Sequence, residues 1–189
     1  MSPLLGDLRQ YQRYCYPHLP VWISTIRCLF AHPAILGVMW FRFGRMAWSL
    51  RIPGLRHLLL LAYNLLLPFV RLVSGVQVLP QTRVGPGLAI LHFGPNIIHP
   101  NSVLEGNCII HHNVTLAADS DHSAPYVGAN VQIGTGAVLF GGISIGNDTM
   151  IGAGAVVTKS MPPWCIAGGV PAKVIRSRLN ESESDSSSS

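Results

Sequence analysis

Between residues 76 and 175 the hydrophobic positions follow a period of six, which matches neither a helix nor an alternating strand. The chain can be cut as "VGANVQ", "IGTGAV", "LFGGIS", "IGNDTM", "IGAGAV" and "VTKSMP". The leading residues are Val127, Ile133, Leu139, Ile145, Ile151 and Val157, and Gly follows four of these six. The fifth position holds Val131, Ala137, Ile143, Thr149, Ala155 and Met161, mostly small or β-branched. Upstream, Ile98, Ile110 and Leu116 keep the same phase, and Val78, Val84 and Ile90 form a further run. A six-residue period cannot lay an apolar stripe on a 3.6-residue helix. It predicts a solenoid of short strands and corners, three hexads to a triangular coil. The leading aliphatic residue points inward, the fifth lines the tight interior, and Gly allows the corner.

The phase breaks twice. Ile98 follows Ile90 by eight positions and Val127 follows Leu116 by eleven, not six, with "AADSDHSAPY" between the last two. Insertions in a solenoid leave it as loops, commonly on the functional face. His92 lies in the first break and His122 in the second.

Residues 1–75 carry a different pattern, "CLFAHPAILGVMWF" and "LLLLAYNLLLPFV", and are expected to be helical. Arg27, Arg42, Arg45, Arg56 and Arg71 keep both apolar runs shorter than the roughly 20 residues of a membrane span. "RIPGLR" marks a turn between two helices. Three readings stay open: helices packed on the solenoid, helices lying in a membrane interface, and, last of the three, a true transmembrane span. Residues 177–189, ending in "NESESDSSSS", read as a disordered acidic tail.

Charge sharpens this division. Residues 1–83 hold nine arginines, no lysine and one acid, Asp7, for a net +8. Residues 84–158 hold four acids and no Lys or Arg. The arginines are interleaved with apolar runs, which suits an anionic membrane surface better than nucleic acid. "MSPLLGDLRQYQRYCYP" lacks the pattern of a signal peptide. Cys15, Cys28, Cys108 and Cys165 have neither metal-type nor paired spacing, so reduced thiols and a cytoplasmic setting are expected, and on the interfacial reading of the helices the protein is peripheral at the inner face of the cytoplasmic membrane.

The hexads, with "IGAGAVVTKSMPPWCIAGGVPAKVIR", resemble the hexapeptide-repeat acyltransferases over residues 76–176. The resemblance implies a left-handed parallel β-helix with an N-terminal α-helical region, a homotrimer, and acetyl-CoA as co-substrate. "AHPAILGVMWFRFGRMAW", "GVQVLPQTRVGPGLAILHFG" and "NVTLA" are similar in order and spacing to the serine O-acetyltransferases, particularly a branch found with capsule and exopolysaccharide synthesis. By that resemblance His92 is the general base that deprotonates the acceptor hydroxyl. Imidazole suits the task because it accepts a proton near neutral pH. His122, in the second break, is the alternative base, as in the galactoside and maltose acetyltransferases. Thr135, Ala153, Thr158 and Lys159 match the superfamily's CoA contacts, and Lys173 and Arg176 would pair with the nucleotide phosphates.

The chain also departs from the family. Gln77, Leu91 and His32 stand where serine O-acetyltransferases carry acids, two of them tied to the amino acid's ammonium group or the base. These replacements predict a sugar hydroxyl of a cell-surface polysaccharide as acceptor, with serine as the alternative. Asp119, Asp121 and Glu105 are candidates for orienting His92, and Asp119 for meeting the acceptor. His99, His111 and His112 are expected to face outward, with a place flanking the cleft as the alternative for His112. The histidine spacings from His92 to His122 (7, 12, 1 and 10) do not fit a zinc carbonic anhydrase of this fold, and no metal is expected.

Overall fold

The computed structural model describes residues 2–178, and these form four helices followed by a parallel β-solenoid of about five turns. The helices are α1 (Pro3–Cys15), α2 (Val21–Ala31), α3 (Ala34–Ser49) and α4 (Pro53–Ser74). One sheet contains β1 (Val76–Val78), β4 (Asn96–Ile98), β7 (Thr115–Ala117), β10 (Val138–Phe140) and β13 (Val156–Val157). The second contains β2 (Arg83–Val84), β5 (Val103–Leu104), β8 (Tyr126–Val127) and β11 (Ser144–Ile145). The third contains β3 (Ala89–Ile90), β6 (Ile109–Ile110), β9 (Gln132–Ile133), β12 (Met150–Ile151) and β14 (Cys165–Gly169), with β15 (Ala172–Ser177) added antiparallel to β14. The chain visits the three sheets in rotation, so each coil contributes one strand to each face.

The six-residue period translates directly into the core. Every leading residue from Val127 to Val157 is fully buried, as are Ile90, Ile110 and Leu116. The fifth positions are buried too. Thr149, the polar one among them, donates its hydroxyl to the Pro162 carbonyl at 2.8 Å, so its burial leaves no unpaired donor. Corners use the left-handed region. Asn107, Asn113, Asn130 and Asp148 have φ between 57° and 60°, the conformation these side chains tolerate best among non-glycine residues.

The helices plug the first coil. Asp7 of α1 receives a two-pronged ion pair from Arg42 of α3, at 2.6 and 2.9 Å, and also accepts the Gly87 and Leu88 N–H groups. Arg42 continues onto the carbonyls of Val84 and Gly85. The Tyr11 hydroxyl donates to the Ile90 carbonyl at 2.8 Å and accepts the Ile90 N–H at 3.0 Å, closing the free edge of β3. Burial pushes that hydroxyl's pKa up, so it stays protonated for both bonds.

Two boundaries differ from expectation. The apolar run after "RIPGLR" is not a short segment but part of one 22-residue helix that includes Arg56, Pro68 and Arg71. The tail expected from residue 177 begins later, because Ser177 still pairs with Cys165 in β15. The tail from residue 179 lies outside the described residues.

Candidate functional site

His92 occupies the corner between β3 and β4 with φ 67°, in the left-handed region that is uncommon for non-glycine residues. Buried Asn96 braces this corner: its amide donates to the Gly94 carbonyl at 3.3 Å, and its carbonyl accepts the Val114 N–H at 3.0 Å. Gly94 has no room for a side chain, since a Cβ would lie 2.8 Å from that of His112, one coil further on. The exposed His92 ring is surrounded by imidazoles. Its centroid lies 5.7 Å from His32, 6.2 Å from His111 and 5.9 Å from His112. Burial, then the proximity of His92, lowers the pKa of His32 below the usual imidazole range, and His111 is lowered by the same causes and by His112.

The expectation of an outward-facing His111 is corrected, and His112 takes the alternative place flanking the cleft: both are half-buried, because one solenoid turn sets them beside His92. The signal was available: neighbours in a solenoid lie one coil apart in sequence. Asn96 carried no such signal, because its role depends on the unusual corner.

The same corner runs on toward the C-terminal coils. Gly136 N–H bonds the His112 carbonyl at 3.1 Å, and Gly154 N–H bonds the Thr135 carbonyl at 2.8 Å. His92, His112, Thr135 and Ala153 therefore follow one edge of the prism. The β14–β15 hairpin continues from it, with Gly152 N–H on the Ala167 carbonyl and Lys173 opposite Gly168. Lys173 and Arg176 project from this hairpin as exposed side chains. Thr158 and Lys159 lie on the following corner, after β13, and are exposed there.

His122 sits elsewhere. Its loop leaves the opposite edge of the first sheet, and its carbonyl accepts the Asn101 amide at 3.0 Å. It too is left-handed, with φ 60°. A cleft of about 390 Å³ beside this loop is lined by His122, Asp119, His99 and Gln77, among others. Asp119 Oδ1 accepts the N–H groups of Asp121 and Ser123, which orders the loop. Gln77 also borders an adjoining cavity of about 310 Å³ with Phe93 and Pro95, next to the His92 corner. The structure thus gathers Gln77, Asp119 and His122, and separately gathers His32 and His92, with Gln77 bordering both.

The carboxylates proposed to orient His92 do not do so within this chain. Glu105 accepts the Tyr126 hydroxyl on the second sheet, and Asp119 and Asp121, joined by the Asp121 N–H to Asp119 Oδ1 bond, belong to the loop at the far edge. Leu91 is corrected more sharply. It is 1% exposed and packs with Tyr11, Cys28 and Ile35 beneath the helices. An apolar residue there reflects the helix–solenoid interface, not the charge of an acceptor. Among the described residues no group of three or more His, Cys, Asp or Glu side chains is arranged for a metal ion.

Residues 124–159 match the family model described as bacterial transferase hexapeptide (six repeats). A serine acetyltransferase of Mycobacterium tuberculosis is 32% identical over 178 residues, covering 93% of this chain and 73% of that protein. The chain belongs to the serine acetyltransferase family. The solved serine acetyltransferase of Neisseria gonorrhoeae superposes with a TM-score of 0.79 at 26% identity, over 99% of this chain and 70% of the other. That of Brucella abortus, solved in complex with coenzyme A, gives 0.75 at 25% identity, over 92% and 66%. Against two further serine acetyltransferases the chain spans 65% and 44% of their length. The expectation of a polysaccharide sugar as acceptor is overturned by these relatives, which are named for serine and match the helices as well as the solenoid. Its premise was three missing acids. Leu91 is a packing position, and Asp119 supplies a carboxylate in the cleft that Gln77 lines.

Proposed function

We propose that this serine acetyltransferase family member transfers the acetyl group of acetyl-CoA to the hydroxyl of serine. The observation that carries the reading is the single edge on which His92, His112, Thr135 and Ala153 follow one another. It sets an exposed imidazole in line with the small residues that the CoA arm requires. His92 takes the hydroxyl proton as the oxygen attacks the thioester carbonyl. The new C–O bond forms, the C–S bond breaks, and the proton passes to the departing thiolate. The thioester is already activated, so no covalent enzyme intermediate is needed. Thr135 and Ala153 leave room for the pantetheine arm, Lys173 and Arg176 meet the phosphates, and Thr158 and Lys159, on the other edge of the first sheet, reach the arm from a neighbouring copy. Asp119 supports serine as acceptor, since a carboxylate is what an ammonium group needs.

His92 and His122 stand at opposite edges of one sheet, so a single chain does not join them. A homotrimer, in which the His122 loop of one copy approaches the His92 corner of the next, would complete the site. The four cysteines are free thiols, which supports a cytoplasmic setting. The experiment is a pair of substitutions. His92→Ala should lower kcat by about 100-fold or more, with the acetyl-CoA KM little changed. If His122→Ala is the more damaging change, the base has been assigned to the wrong edge.

A further inference from the structure

Beyond the catalytic reading, and independent of it, the helical region carries an apolar surface that this chain leaves uncovered. Leu58, Leu61, Leu65, Phe69 and Leu72 recur at three- and four-residue steps along α4 and are 62–77% exposed. The opposite face is the packed one: Tyr63 is buried and stacks on Trp40 of α3 at 5.6 Å. On α2, Trp22 and Phe30 are also exposed, Phe30 to 87%.

The charge around this face selects its occupant. No Asp or Glu occurs from Leu8 to Leu104, and the acid before that stretch, Asp7, is committed to Arg42. Arg51 and Arg56 stand at the start of α4 and Arg71 in its last turn, with the Arg56 guanidinium 5.0 Å from the centre of the Trp48 ring. A second copy docked through the same face would bring no acid to pair with the arginines of either copy, since every Asp and Glu is missing from Leu8 to Leu104. A lipid surface with anionic headgroups meets both halves of the pattern. The leucines enter the acyl boundary while exposed Arg51 and Trp48, beside the start of α4, sit at headgroup level.

We propose that α4 docks lengthwise on an anionic membrane surface, holding the enzyme at the bilayer as a peripheral protein. By length and composition α4 is also long and apolar enough to cross a bilayer. However, its packed face would then carry α3 into the lipid, with Arg42, Arg45 and the buried ion pair. Interfacial binding leaves that pair in protein.

Flotation of the full chain with phosphatidylcholine vesicles, with and without phosphatidylglycerol, tests the proposal. Binding should be about tenfold stronger to the anionic vesicles, and high salt should weaken it without abolishing it. The triple variant Leu61→Gln, Leu65→Gln, Phe69→Gln should lose that binding by about tenfold, with melting temperature and acetyl-CoA turnover unchanged. Four results would overturn it. These are no flotation with either vesicle, anionic binding that the triple variant keeps, resistance of the wild-type chain to alkaline carbonate extraction from cell membranes, and a lipid-free assembly that light scattering shows shrinking in the triple variant. The third would make α4 a span and the fourth a contact between copies.

Discussion

His92 is defined by neighbours as much as by its own imidazole. Its backbone is held left-handed by Asn96 and by the close approach of Gly94 to His112, and its ring stands among three other histidines. Position in the broken hexad pointed to His92, but nothing local in the sequence announces a histidine at φ 67°. That conformation follows from contacts one coil away. Leu91 shows the reverse failure. Its place beside the base suggested chemistry, whereas its burial beneath α1 and α2 makes it core. The histidine cluster has a consequence for pH. His32 and His111 have lowered pKa values in the folded protein, so the unfolded chain binds more protons as pH falls through the ordinary imidazole value near about 6.5. Stability should therefore be greatest above that value and decline below it, down to the folded pKa values. Thermal melting between pH 7 and pH 5 should show a steeper fall for the native chain than for the His32→Gln, His111→Gln variant. Equal slopes would mean that the cluster does not hold these imidazoles neutral.

At the scale of elements, the solenoid was legible because each strand repeats one instruction: aliphatic inward, small at the fifth position, Gly or Asn at the corner. The docking of the helices was not legible, since Asp7 and Arg42 are 35 residues apart and no pattern pairs them. Their ion pair is buried and reaches Val84, Gly85, Gly87 and Leu88, so it fastens two helices to the first coil at once. Asp7→Ala should destabilise the protein by about 3–5 kcal/mol, because it leaves a buried guanidinium unpaired. The double change Asp7→Leu, Arg42→Met should recover part of this loss and not all of it, since four backbone groups of the coil also lose their partners. Urea unfolding measures both. A loss below about 1 kcal/mol for Asp7→Ala would show that the pair is solvated and the plug loose.

For the whole molecule, the fold was legible because it depends on local repeats and corners, and acetyl-CoA as co-substrate followed from the family that those repeats mark. The acceptor was not. Gln77, Leu91 and His32 suggested a site without anions, yet the extruded loop returns Asp119 to the cleft that Gln77 lines. The path of an irregular eleven-residue break is set by contacts such as Asn101 with His122, which no periodicity encodes. The division of the site between two edges of one sheet, with Gln77 bordering both cavities, gives the oligomer its proposed catalytic role. The central claim is acetyl transfer to serine, and product analysis tests it most directly. Purified full-length protein, acetyl-CoA and millimolar serine should yield O-acetylserine, identified by mass spectrometry, in step with release of free thiol, and Asp119→Asn should raise the serine KM. Thiol release no faster with serine than without it, and no O-acetylserine, would contradict the claim.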